Sequence, residues 1–172
     1  MDTETEIREA RPEDAAALAR AVTRTRAYMR PWEPYRTEHY YTAEGQAERL
    51  ADGGRRWFAW AGGEIVANAT LSGIVMGPLR GASLGYWVDP AHGGRGLATA
   101  LVRVVTAAAR DEMGLHRLAA GTLLDNHASQ RVLAKSGFER IGTAPRYLHI
   151  DGAWRDHHLF QLILHDEDPP RA

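Results

Sequence analysis

Leu84-Gly85-Tyr86-Trp87-Val88-Asp89-Pro90-Ala91-His92-Gly93-Gly94-Arg95-Gly96-Leu97-Ala98-Thr99 is the stretch that decides the fold. Leu84, Tyr86 and Val88 alternate onto one side and predict a strand over 82–88. Asp89-Pro90 ends it, because proline has no N–H to continue a ladder. A helix follows the glycines to about Arg110, with Leu97, Leu101, Val104 and Ala108 as its apolar stripe. Glycines at Gly93, Gly94 and Gly96 let the backbone turn sharply and approach a ligand closely. The N–H groups of the first helical turn then point into one space, with the positive end of the helix dipole behind them. That is an anion site suited to a phosphate or pyrophosphate. Arg95 adds a guanidinium within reach of a phosphate oxygen. Taken alone, the glycines also fit a strand–helix connection that binds nothing.

Two familiar phosphate sites are excluded. A Walker loop needs Gly-Lys-Ser/Thr, and no lysine stands here. A dinucleotide fingerprint needs a third glycine where Thr99 stands, and an acid about 20 residues on to hold a ribose. Asp111 and Glu112 come too early for that role and sit at a helix end.

Working outward, residues 3–9 alternate weakly and predict a first strand. Arg11-Pro12-Glu13-Asp14 opens a helix that ends before Pro31, with proline and the acids suited to its first turn. Residues 30–41 hold two prolines, aromatics and charges, and read as a contact loop. Thr42 caps a helix through Gln46 and Leu50 that ends at Gly53-Gly54. Runs at 56–61 and 64–72 flank Gly62-Gly63 as a hairpin. A strand over 116–122 and a helix over 126–136 follow. Strands over 145–150 and 154–164 are joined at Asp151-Gly152. The order β-α-α-β-β-β-α-β-α-β-β predicts a mixed α/β sheet, antiparallel first and with crossover helices later.

The chain has 172 residues and is read as one domain, 1–172. It holds no cysteine, which excludes disulfides, thiolate metal sites and a cysteine nucleophile. Lys+Arg is 21 and Asp+Glu is 22, a net charge of −1 that gives no footprint for nucleic acid. Lys135 is the one lysine. No apolar run approaches the roughly 20 residues of a membrane span. The start, Met1-Asp2-Thr3-Glu4-Thr5-Glu6, is acidic and is not a signal peptide. The expectation is a soluble cytoplasmic protein. His157-His158 cannot share a metal ion, since neighbours on a strand point to opposite faces. No metal site is expected.

Several segments in order carry a family resemblance. They are Gly85-Tyr-Trp-Val-Asp-Pro90, the Gly93–Ala98 turn, Asp125-Asn-His-Ala-Ser-Gln-Arg-Val-Leu-Ala-Lys-Ser-Gly-Phe138, Arg146 and Asp151-Gly-Ala-Trp-Arg-Asp-His157. Pro31-Trp-Glu-Pro-Tyr-Arg-Thr-Glu-His-Tyr-Tyr-Thr42 extends the likeness upstream. The chain resembles the GCN5-related N-acetyltransferases (GNAT superfamily), and within them the RimJ/RimL-type ribosomal-protein (alanine) N-acetyltransferases. The resemblance implies a mostly antiparallel mixed sheet of six to seven strands with flanking helices, splayed at the central cofactor-binding strands.

It also implies acetyl-CoA as cosubstrate. The family pattern Gln/Arg-x-x-Gly-x-Gly/Ala falls on Gly93, Gly94, Arg95, Gly96, Leu97 and Ala98, with Thr99 following. Gly96 and Ala98 match, and Gly93 departs from the first position. The pantetheine arm lies along Tyr86, Trp87 and Val88 as an added strand. Asn126 is assigned to the cofactor arm, though its spacing equally fits a helix N-cap. Ser129 is placed to protonate the leaving thiolate, because Phe160 stands where many relatives carry a tyrosine. Leu148 stands where relatives place a glutamate base, so that role does not transfer. Glu33, Asn68 and His149 are the base candidates, Glu33 foremost. Trp32, Glu33, Tyr35 and Asn68 form the expected acceptor side. Lys135 is assigned a structural place.

The implied reaction is direct acetyl transfer to a primary amine, foremost a protein N-terminal α-amine such as that of a ribosomal protein. The alternatives are a small-molecule amine acceptor and a non-catalytic acyl-CoA-binding or sensing module. Exposed loop aromatics also admit a homodimer.

Overall fold

The computed structural model describes residues 5–169. Its elements in chain order are β1 (Glu6–Glu9), α1 (Ala15–Met29), α2 (Ala43–Leu50), β2 (Arg55–Ala61), β3 (Glu64–Val75), β4 (Gly81–Val88), α3 (Leu97–Asp111), β5 (Arg117–Leu123), α4 (His127–Lys135), β6 (Glu139–Ile150) and β7 (Ala153–Ile163). This is the expected order. Residues 3 and 4, which the alternation placed in the first strand, lie outside the described residues.

The turns form as their chemistry requires. Gly62 and Gly63 have φ of 59° and 79°, and Asp151 and Gly152 have 42° and 80°. Two successive positive φ values are what a tight hairpin needs to match strand twist. The Thr42 hydroxyl accepts from the Gly45 N–H at 3.0 Å and caps α2. At the start of α1, the Asp14 carboxylate accepts from the Arg11 N–H at 2.8 Å and takes both Arg8 guanidinium nitrogens at 2.8 Å.

The seven strands form one sheet in the order β1-β2-β3-β4-β5-β7-β6. Every neighbouring pair is antiparallel except β4 and β5, which the α3 crossover makes parallel. β4 and β5 pair only at Gly81–Arg117, Ala82–Leu118 and Ser83–Ala119. Beyond Ser83 they diverge, so the sheet is splayed at its centre.

Each face of the sheet is covered by its own helices. Ala17, Leu18, Ala21 and Val22 of α1 bury against Phe58, Ile65 and Trp87. Leu101, Val102 and Val105 of α3 and Leu133 of α4 bury against Ala67, Ala69, Leu71, Leu84, Leu118 and Phe160 on the other face. Alternation along β4 explains the division: Leu84, Tyr86 and Val88 face α3, and Trp87 faces α1.

The structure corrects three details. The apolar stripe of α3 is rotated from expectation. Leu101, Val102, Val105 and Ala109 are inaccessible, and Val104 is 39% exposed. Each residue turns the helix by about 100°, so Val104 falls on the flank of a face centred near Val105. β3 runs on to Val75, past a register break between Ser72 and Val75. β6 begins at Glu139, well before residue 145. Gly142 and Pro145 signal a break in a central strand, but β6 is an edge strand with bulges at Arg140/Gly142 and Ala144/Leu148.

The end of β4 is anchored away from β5. The Asp89 N–H donates to the Val66 carbonyl at 2.8 Å. The Asp89 carboxylate accepts from Arg24 Nε at 2.7 Å and the Ala91 N–H at 3.0 Å. Burial pushes this carboxyl up, but Arg24 and the Ala91 N–H outweigh burial and hold it below the usual range.

The rotation of α3 is testable by thermal or denaturant unfolding. Leu101→Ala is expected to cost about 2–5 kcal/mol as a core truncation. Val104→Ala is expected to stay within about 0.5 kcal/mol, as for an exposed site. Equal losses would contradict the packing.

Candidate active site

The splay opens a cavity of about 840 Å³ between β4 and β5. Because β5 leaves at Ser83, the β4 edge from Leu84 to Val88 has no strand partner on that side among the described residues. Its backbone groups therefore face the cavity, available to an extended ligand with amides. Tyr86, Trp87 and Val88 line it.

At one end of the cavity lies the glycine turn. Gly94 and Gly96 have φ of 73° and 77°, and a Cβ built on either meets nothing within 4 Å. Backbone conformation, not crowding, is what selects glycine there. Gly96 is the N-cap of α3, so the N–H groups of Leu97, Ala98 and Thr99 have no intrahelical acceptor. Gly93, Gly94, Gly96, Leu97, Ala98 and Thr99 all line the cavity. Arg95 is exposed and lies outside the lining.

The α4 wall carries the hydroxyls. The Asn126 side chain accepts from the Ser129 N–H at 3.1 Å and so acts as the N-cap, while also lining the cavity. Ser129 Oγ lies 2.7 Å from Tyr86 Oη, and the phenol also reaches the Ser129 carbonyl at 3.1 Å. Burial pushes the Tyr86 phenol up to about 12, with its Ser129 hydrogen bond pulling the other way. It remains a proton donor at neutral pH. Sequence reasoning placed Tyr86 here for its backbone and missed this pairing, whose partners are 43 residues apart. Arg131 and Lys135 line the same wall, one helical turn apart. That spacing was legible, although Lys135 was assigned only a structural place.

The far end of the cavity is built by the loop after α1 and by the β6–β7 hairpin. Tyr28, Met29, Trp32 and Pro34 line it from one side, and Leu148, Ile150 and His157 from the other. The Asp151 N–H donates to the Glu33 carbonyl at 3.1 Å, and Arg30 Nε lies 3.4 Å from the Asp151 carboxylate. These contacts tie the two walls together. Of the expected acceptor residues, only Trp32 lines the cavity. The Glu33 carboxylate lies 3.7 Å from Arg36 Nε. Burial pushes it up, against the pull of Arg36 and Arg49. Tyr35 is 83% exposed. Asn68 lies on β3 opposite Trp87, with its amide near the Thr70 hydroxyl. His149 is exposed and stacks edge-on to Trp154 at 5.4 Å.

A strand–glycine–helix turn opening into a splayed sheet is the fold arrangement the sequence resemblance implied. Residues 5–139 match the acetyltransferase (GNAT) domain. The chain belongs to the GNAT family. It is 34% identical over 171 residues to a ribosomal protein uS5-alanine N-acetyltransferase of Escherichia coli, covering 92% of this chain and 87% of that one. It matches the fold of a ribosomal-protein-S5-alanine acetyltransferase from Vibrio fischeri with a TM-score of 0.91, 29% identity and 98% coverage of each chain. It matches Mycobacterium smegmatis RimJ in complex with CoA-disulfide with a TM-score of 0.84, 30% identity, and 92% and 81% coverage. RimJ/RimL-type enzymes are thus among its relatives.

This GNAT chain is an N-acetyltransferase, and acetyl-CoA is its cosubstrate. The residues present suit that molecule. The free N–H groups behind Gly96 fit a pyrophosphate, and the open β4 edge fits the pantetheine amides. Among the described residues, no three His, Cys, Asp or Glu converge as metal ligands, and no helix is long and apolar enough to cross a membrane.

Gly96→Val tests the cradle. A β-branched residue at φ 77° is expected to cost about 1–2 kcal/mol of stability. Displacing the N–H groups is expected to weaken acetyl-CoA binding about tenfold, or about 1.4 kcal/mol. Calorimetric titration that finds unchanged affinity in the folded variant would contradict this placement.

Proposed function

We propose that this GNAT enzyme transfers acetyl from acetyl-CoA directly to the α-amine of a protein N-terminus, of the ribosomal-protein-alanine type. One observation carries the reading: the far end of the cavity is open, aromatic and almost uncharged. Among the described residues, Asp125 is the one carboxylate in the cavity lining, and it lies on the β5–α4 link beside Asn126. A polyamine acceptor needs several carboxylates to hold its cations. A peptide N-terminus needs room for backbone and one neutral amine, which Tyr28, Trp32 and Pro34 can flank. The uS5-alanine and S5-alanine relatives support the same acceptor class.

The α-amine also eases the chemistry. Its ordinary pKa of about 7.7–8.0 leaves a useful neutral fraction near pH 7, whereas a lysine near 10.4 is almost wholly protonated. The amine nitrogen attacks the thioester carbon, and N–H groups of the β4 edge polarise its carbonyl. Ser129 donates the proton to the departing thiolate. Tyr86 has one hydrogen and two acceptors on Ser129. When it donates to Oγ, the serine hydrogen is freed toward the cavity and made more acidic. Asn126 holds the start of α4, and with it Ser129, in place. Trp32 packs against the acceptor. Glu33, paired with Arg36 and tied through its carbonyl to Asp151, fixes the loop.

The test follows free thiol with acetyl-CoA and a panel of N-terminal peptides, amino acids, polyamines and other amines. Acceptor-dependent thiol release is expected with alanine-initiated peptides. Release only with small amines would move the assignment to the small-molecule class, and binding without turnover on any acceptor would favour a sensing module. Ser129→Ala is expected to lower kcat about tenfold or more, with acetyl-CoA affinity nearly unchanged. That is below the usual general-acid contribution of about 10²-fold upward, because a thiolate leaves passably unaided. Tyr86→Phe is expected to lower kcat by less than Ser129→Ala. An unaltered kcat in Ser129→Ala would remove the serine from the mechanism.

A further inference from the structure

His157 closes a segment that carries the family resemblance and is half of an unworkable metal pair, and neither gives it a role. The structure gives it a different setting. It stands on β7 between Leu123 of β5 and Ala144 of β6. It is 4% exposed yet lines the cavity beside Gly121, Leu123 and Ile150. Its Nδ1 lies 3.0 Å from the Arg155 carbonyl oxygen. A carbonyl oxygen only accepts, so Nδ1 carries the hydrogen, and in the neutral ring the Nε2 lone pair is free. No hydrogen bond to Nε2 occurs among the described residues.

The ring is also aimed. Tyr147 packs on it with centroids 5.6 Å apart. Tyr147 reaches it through the bulge between Ala144 and Leu148, where Arg146 holds φ of 49°. The Arg146 N–H donates to the Asp156 carboxylate at 2.8 Å, which stabilises that strained turn. A Cβ at Gly121 would lie 3.7 Å from His157 Cδ2 and 3.8 Å from Tyr147 Cε1. Leu159 Cδ2 would also lie 3.8 Å away, so His157, Tyr147 and Leu159 pack together over the Gly121 backbone and hold the ring in place. The strand face matters too. Phe160, three residues on, packs into the α3 side of the sheet, so His157 lies on the opposite, acceptor side. Ser129 and Tyr86 approach from the α3–α4 side.

We propose that His157 is the general base of the transfer, a step that rests on the amine-acetylation reading above. The acceptor nitrogen bonds to the acyl carbon and gives its surplus proton to Nε2, directly or through one water. The C–S bond then breaks with its electron pair on sulfur, and the Ser129 hydroxyl supplies the thiol proton. Water takes the proton from His157 and returns one to Ser129. The other candidates are less well placed. The Glu33 carboxylate pairs with Arg36 outside the cavity lining, and His149 is exposed against Trp154. The titratable and charged groups around His157 are Tyr147 on β6, and Arg155 and Asp156 on its own strand. β5 presents Leu123 and Gly121.

The experiment uses the full chain and the best acceptor of the panel. His157→Gln is expected to lower kcat/KM about 10²-fold or more, the usual general-base contribution. Acetyl-CoA affinity should stay within about twofold, since no cofactor contact is altered. The variant should lose the enzyme's contribution to the acidic limb of the pH–kcat/KM profile and keep only the limb set by protonation of the acceptor amine, and His157→Ala should regain rate with added imidazole. Glu33→Gln should keep both contributions. Long-range ¹H–¹⁵N spectra of the parent should show the Nδ1–H tautomer at His157. A folded His157→Gln that keeps the parent's rate and profile overturns the proposal alone, as does an Nε2–H tautomer. A parent that acetylates no amine in the panel overturns the amine-acetylation reading and this step with it.

Discussion

The structure depends on one unfinished ladder. β4 and β5 exchange pairing over three residues at one end and then part. Backbone N–H and C=O groups left unpaired inside a protein are costly, so such a gap persists only where water or a ligand meets them. Here each strand end is held by its other neighbour. Val66 and Arg24 grip Asp89 at the end of β4, and His157 of β7 pairs opposite Leu123 at the end of β5. The sheet is thereby pulled open at its centre while staying continuous at its base. The α3 crossover makes the pair parallel, and it also delivers the α3 N-terminus to the mouth of the gap.

The same geometry divides the labour of the reaction between two walls. Alternation along β4 sends Tyr86 toward α4, where it meets Ser129, and alternation along β7 sends His157 to the other face, under Tyr147. In this reading, a proton acceptor sits on the amine side and a donor on the sulfur side. A group on the wrong wall would take its proton from the wrong atom. The bulge in β6 fits this arrangement. Its strain at Arg146 is local, yet it sets the ring that packs on His157.

What was legible in the sequence was what neighbours in the chain decide. Gly62-Gly63 and Asp151-Gly152 announce their turns because φ > 0 is a property of the residues themselves. Thr42 announces its cap because the N–H it serves is three residues away. The element order followed, and the glycine turn with its flanks carried the family. What stayed hidden depends on partners distant in sequence. The Tyr86–Ser129 contact, the grip of Arg24 on Asp89 and the stacking of Tyr147 on His157 leave no local pattern. Val104 shows a milder limit, since apolar spacing alone leaves the rotation of a helix face open by one residue. Gly142 and Pro145 misled because their cost depends on whether a strand is central or at an edge, which local pattern does not reveal.

The absence of cysteine gains weight from the shape of the cavity. A double-displacement route would park the acetyl group on an enzyme nucleophile and could use two sites in turn. This chain has no thiol for that role. Direct transfer instead requires acceptor and thioester to be present together, with the reacting atoms about 3–3.5 Å apart. A single cavity lined continuously from Gly93 and Gly96 through Tyr86 and Ser129 to His157 and Trp32 meets that requirement. The contact from Asp151 to Glu33 joins two of its walls. It ties the loop after α1 to the hairpin that carries His157, so under the proposed reading an acceptor placed by that loop is placed against the histidine as well.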